Sequence, residues 1–135
     1  MDRRQFSIGL LATLSPVAAH ADYDALVYER GLLGRLRAEN RPIILNYTAS
    51  WSYTCDIKRE RLAQLKRENA AYSARLTFVD IDWDTFGPSQ MAQRMDVDRH
   101  CTLIAMKGET EICRLVAETN EGRLRAFLDK VLQAA

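Results

Sequence analysis

The chain has 135 residues, of which 47% are hydrophobic and 27% charged, the size of one domain with apolar material for one core. Nineteen lysines and arginines face 18 aspartates and glutamates, and no run of one sign is long enough to mark a nucleic-acid or anionic-membrane partner. No Gly/Ser-rich or Pro-rich stretch and no internal repeat divides the chain.

Residues 1–21 read as a signal peptide. Arg3 and Arg4 make a positive start, Phe6 to Leu14 is mostly apolar, and Ala19-His20-Ala21 has the small-x-small form of a cleavage site. The apolar run is about half the length of a membrane span. Arg3-Arg4-Gln5-Phe6 also resembles the twin-arginine export motif, although Asp2 precedes it and the usual basic residue after the apolar start is absent. Either route leads to the periplasm or otherwise out of the cytoplasm. The expected mature domain is 22–135, without a membrane span. It carries 17 residues of each charge sign, and His100 is its only histidine.

The elements follow in order. Tyr23 to Glu39 is expected to be helical, with Leu26, Val27, Leu33 and Leu36 at helical spacing, though Gly31 and Gly34 oppose it. Asn40-Arg41-Pro42 stops it. Ile43 to Tyr47 has the length and composition of a buried strand. A charged helix is expected from Cys55 to Tyr72, with Ile57, Leu62, Leu65 and Tyr72 inward and the charges of Lys58 to Glu68 forming a solvated face. Leu76 to Asp82 reads as a second strand. Gly87-Pro88 breaks the chain, and Ser89 caps a short helix holding Met91, Ala92 and Met95. Thr102 to Met106 and Glu111 to Val116 are two strands joined at Lys107-Gly108-Glu109, which predicts an antiparallel hairpin. Asn120 caps a last helix with Leu124, Phe127, Leu128, Val131 and Leu132 inward. Strand–helix–strand crossovers followed by a late hairpin predict an α/β fold, a central mixed four-stranded sheet with helices on both faces.

Cys55, Cys101 and Cys113 are an odd count, which in an exported protein leaves at least one thiol unpaired within the chain. Their spacing matches no zinc finger or ribbon. Cys113 falls mid-strand and reads as core packing.

Residues 23 to 135 together resemble the thioredoxin family, and in particular bacterial periplasmic thioredoxin-like proteins. The resemblance rests on four segments: Ile43 to Trp51, Trp51-Ser52-Tyr53-Thr54-Cys55, Val79 to Asp82, and His100-Cys101-Thr102-Leu103-Ile104 with Lys107-Gly108-Glu109. It implies a thioredoxin-like fold and thiol–disulfide chemistry at the start of the helix after the first strand. It also implies departures. Ser52 stands at the family's attacking cysteine, Cys55 at its resolving cysteine, Asn46 at a buried aspartate that moves protons, and Cys101 at the cis-proline. A serine hydroxyl forms no mixed disulfide, so the ordinary two-cysteine cycle is excluded within residues 52–55. In the family the loop at Cys101 faces the redox motif, so the resemblance leaves three roles open for Cys55: a buried hydrophobe, a lone thiol, or one half of a pair with Cys101.

The site residues implied are Cys55, Ser52 and, if it pairs, Cys101, with Trp51, Tyr53, His100 and Thr102 contacting substrate. Ser52 reads first as a helix N-cap. As a nucleophile it would need His100 and an acidic partner, which the sequence does not identify. Cys55, Cys101 and His100 are too few for a metal set, so no metal or other cofactor is expected. Two functions remain open. One is thiol–disulfide exchange with protein thiols or disulfides through Cys55, with or without Cys101. The other is a redox-inactive binding or chaperone-like module that holds an extended peptide beside Trp51.

Overall fold

In the computed structural model, which describes residues 23–135, the segment expected as one helix from Tyr23 divides in two. The signal-peptide reading of residues 1–21 lies outside the described residues. Leu26 and Val27 form a short, exposed strand, β1 (Leu26–Val27), and the helix is confined to α1 (Leu32–Arg37). Gly31 explains the division. It takes φ +89° at the N-cap of α1, a left-handed turn that glycine adopts without strain and that a helix interior cannot contain.

β2 (Ile43–Thr48) is buried at every position, as its apolar, β-branched run requires. α2 (Tyr53–Glu68) and α3 (Ala71–Arg75) replace the single helix expected to Tyr72. Asn69 makes the break. Its backbone is extended, and its side-chain oxygen accepts the N–H of Ala71 at 3.0 Å, the local competition that asparagine offers a helix. β3 (Thr77–Asp82) follows, and Asp82 caps a short unexpected helix, α4 (Trp83–Phe86), by accepting the N–H of Thr85 at 3.1 Å. α5 (Gln90–Arg94) is capped by Ser89 as expected, Oγ to Ala92 N–H at 3.2 Å. β4 (Thr102–Lys107) and β5 (Thr110–Val116) form the expected hairpin, turning at Gly108 with φ +62°. Asn120 caps α6 (Glu121–Gln133), which buries Leu124, Phe127, Leu128 and Val131.

The sheet has five strands, not four, in the order β1-β3-β2-β4-β5. The fifth is β1, which pairs in parallel with β3 at the sheet edge. β2 and β3 are parallel, while β2 with β4 and β4 with β5 are antiparallel, so the mixed character holds. Helices cover both faces. Leu32, Leu33 and Leu36 pack with Leu45, Tyr47 and Ile104 on one face. Leu62, Leu65, Leu124 and Phe127 pack with Ile44, Phe78 and Leu103 on the other.

One consequence of this topology sets the site. β2 and β4 are antiparallel neighbours, with Tyr47 opposite Thr102. The loop leaving β2 and the loop entering β4 therefore meet at one end of the sheet. There Ala49, Cys55 and Cys101 form a small buried cluster with Trp83 against it.

Candidate functional site

Ser52 starts the site. Its backbone is extended, and its Oγ accepts the N–H of Cys55 at 3.3 Å, the N-cap bond of α2. Ser52→Ala removes that bond and should lower stability by about 1 kcal/mol, read as a shift in the urea midpoint with an unchanged slope.

Cys55 lies in the first turn of the 16-residue helix α2. The orphan N–H groups and dipole of a helix N-terminus favour negative charge there. The N–H of Ala49 also points at its sulfur, 3.4 Å from Sγ. Cys101 precedes β4 with φ +60°, a conformation that disfavours a side chain by roughly 1–2 kcal/mol. Two backbone bonds hold it there: its N–H to the Tyr47 carbonyl at 2.6 Å, and its carbonyl to the Ala117 N–H at 2.8 Å. The result is a Cys55–Cys101 disulfide with the Cα atoms 5.4 Å apart, inside the range such bonds occupy. The Ser52 hydroxyl sits 3.5 Å from Cys101 Sγ. Both cysteines are sealed, at 1% and 0% exposure.

The surrounding surface is aromatic. Trp51 is 62% exposed and Tyr53 77% exposed. Trp51 Nε1 donates to both oxygens of Asp84, at 3.0 and 3.1 Å. The His100 ring lies 4.8 Å from that of Trp51 and 6.5 Å from that of Trp83. Thr102 is buried, and its hydroxyl donates to the Arg99 carbonyl at 2.8 Å. The structure thus brings Ser52, Cys55 and Cys101 into contact, sets Trp51 against His100, leaves Tyr53 on open surface and turns Thr102 inward. The Ser52 hydroxyl has Cys55 N–H and Cys101 Sγ for partners, not an imidazole. Both site sulfurs are joined to each other, and among the described residues no group of three or more His, Cys, Asp or Glu is placed to hold a metal. Among the described residues no helix is long and apolar enough to cross a membrane.

Cys113 is the free thiol. It is half-buried against the core packed by α6, and burial raises its pKa.

Where β2 and β3 pair, with Asn46 opposite Asp80, lies a buried polar cluster that the sequence did not reveal. Asn46 Nδ2 donates to Asp80 Oδ1 and to the Tyr23 hydroxyl oxygen, both at 3.0 Å, and the Tyr23 hydroxyl donates to Asp80 Oδ1 at 2.6 Å. Burial, with Asp80 beside it, pushes the Tyr23 phenol well above its ordinary value. Arg59 reaches Asp80 Oδ2 at 3.9 Å. Lys58 and Lys66 are buried, which corrects the expectation that this whole stretch is a solvated face. Lys66 donates to the carbonyls of Tyr23 and Asp24 and lies 4.0 Å over the Phe78 ring. Lys58 is 1% exposed, and its Nζ has no hydrogen-bond partner among the described residues. Burial pulls its pKa down to about 7, against the opposing charge of Asp80 and with Arg59 adding to the fall. The signal for it was the helical stripe Cys55, Lys58, Leu62 and Leu65, at steps of three and four.

No family model matches the sequence. Solved structures do match. Trxlp from Edwardsiella tarda EIB202 superposes with a TM-score of 0.68 at 22% identity, over 78% of this chain and 98% of that one. Thioredoxin Mala s 13 of Malassezia sympodialis gives 0.67 at 16% identity, over 80% and 93%. The oxidised thioredoxin of Plasmodium falciparum gives 0.65 at 16% identity, over 83% and 100%. The fold is that of thioredoxin. In this thioredoxin-like chain, Trp51 to Cys55 runs from the central strand β2 into α2, and Cys101 enters β4 beside it. All three likenesses are to the fold.

Proposed function

We propose that this chain is an exported thioredoxin-like protein of the bacterial periplasm that exchanges thiols and disulfides through Cys55 and Cys101. The disulfide between the start of α2 and the loop before β4 carries the reading. It supplies two sulfurs from two loops where a thioredoxin takes both from one turn, and it leaves Ser52 as a cap at the position of the attacking cysteine. A partner dithiol would be oxidised to a disulfide as Cys55–Cys101 becomes two thiols, with two electrons and two protons transferred. The reverse reaction would reduce a partner disulfide to a dithiol as Cys55 and Cys101 are oxidised to the bond. The exposed faces of Trp51 and Tyr53 give a protein partner somewhere to rest beside the bond.

One observation favours a second reading. Neither sulfur is exposed, so the bond would have to open before exchange, or it serves as a staple beneath a peptide-binding surface. A redox titration separates the two. Oxidised domain 22–135 is equilibrated with dithiothreitol buffers, and its thiols are alkylated and weighed. Exchange requires a reversible two-electron midpoint above about −300 mV, since structural disulfides of secreted proteins fall below that. Reduction only where the domain unfolds would establish the staple and the binding module in its place.

A further inference from the structure

We propose that Lys58 is the buried counter-charge of the Cys55 sulfur, which makes Cys55 the leaving sulfur and Cys101 the sulfur that partners attack. The inference rests on the exchange reading above and adds a direction to it.

Geometry supports it first. Lys58 follows Cys55 by three residues on α2, and residues three apart share a helix face. Both are fully buried. The Lys58 amino group has no hydrogen-bond partner among the described residues, although an unpaired buried ammonium is costly to keep. Asp80 on β3 does not satisfy it, because its carboxylate is taken by Tyr23, Asn46 and Arg59. The charged groups that act on Lys58 are Asp80, which favours the ammonium, and Arg59 of its own helix, which opposes it. Lys66 also feels Asp80, but its amino group is bound to backbone carbonyls. A cation held this way waits for an anion that is absent from the oxidised protein.

Opening the disulfide creates that anion. Once the site has opened to expose the bond, a partner thiolate attacks Cys101 Sγ, a partner–Cys101 bond forms, and the electron pair of the broken bond goes to Cys55 Sγ. Negative charge has then moved from the partner into a sealed site. The helix N-terminus, the Ala49 N–H at 3.4 Å and the Lys58 ammonium all meet it at Cys55. Among the described residues the hydrogen-bond partner of Cys101 Sγ is a hydroxyl, Ser52 Oγ at 3.5 Å. The better stabilised thiolate leaves faster. The proton of Lys58 is thereafter held by the Lys58–Cys55 pair. The partner's second thiol loses its proton to solvent and displaces Cys101, which takes a proton from solvent, and a dithiol and a disulfide have changed places.

The test is the rate of reduction of the oxidised protein by dithiothreitol, corrected for the reductant's own ionisation, across pH. With wild type the corrected rate constant should fall about tenfold between about pH 6 and pH 8.5, as the ammonium is lost. Lys58→Met should be slower at the low end by a similar factor and flat with pH. A profile for Lys58→Met parallel to wild type overturns the proposal. A second measurement needs no variant: brief exposure of wild type to glutathione, then digestion and weighing, should find glutathione on Cys101. Glutathione on Cys55 overturns the assignment while leaving exchange intact. No reduction of any form while folded overturns the exchange reading, and this proposal with it.

Discussion

Replacing both Cys55 and Cys101 by alanine should lower stability by about 4 kcal/mol. The bond spans 46 residues, and in the chain-entropy model a cross-link over a loop of that length constrains the unfolded chain by roughly that amount. Domains of this size hold only about 5–15 kcal/mol, so the double variant should lose a large share of its urea midpoint. Reduced wild type should move most of the same way, since reduction removes the same cross-link. By linkage the fold stabilises the bond as much as the bond stabilises the fold. About 4 kcal/mol corresponds to roughly 90 mV for a two-electron couple, so Cys55–Cys101 should be harder to reduce in the folded domain than in the unfolded chain by that margin. A loss of stability under about 1 kcal/mol would mean that residual structure already holds residues 55 and 101 together in the unfolded chain.

The parts of this architecture that could be read from sequence are those set by local chemistry. Ile43 to Tyr47 and Thr102 to Met106 are short apolar runs between breakers, and both are central strands. Ser52, Ser89 and Asn120 are capping residues just before helical patterns, and all three cap. What escaped was set by competition or by distance. Leu26 and Val27 fit a helical pattern, but the left-handed turn at Gly31 and the open edge of β3 make them a strand. Asn69 interrupts a helix whose apolar spacing continues past it. Nothing local ties Cys55 to Cys101. Their approach came only through the likeness to a fold in which those loops meet, and the antiparallel register of β2 and β4 is its physical cause. Lys58 was hidden by its neighbours, because Arg59, Glu60 and Arg61 surround it and make the stretch look uniformly solvated.

Lys58→Met should stabilise the oxidised protein by about 2–4 kcal/mol at pH 6. The lysine pKa falls from 10.5 to about 7 on folding, chiefly by burial. Between those values the unfolded chain binds more protons than the folded one, so the stability of wild type should climb with pH across that window and level off outside it. Below about pH 7 the folded state bears the whole penalty of a buried ammonium, a shift worth on the order of 4–5 kcal/mol with the attraction of Asp80 already counted in it, from which the changed packing of methionine takes back about 1 kcal/mol. Methionine keeps a long unbranched side chain in the same space without the charge. Its advantage should therefore shrink as pH rises and be nearly gone by about pH 10.5, where lysine is neutral in both states. Urea unfolding of the two proteins at several pH values measures this directly. A gain at low pH that fades on that schedule would show that α2 carries a destabilising cation in the oxidised protein, the condition under which a thiolate at Cys55 gains the most from it. Equal stability at pH 6 would mean that the Lys58 ammonium reaches solvent in the folded domain and is no longer a charge reserved for sulfur.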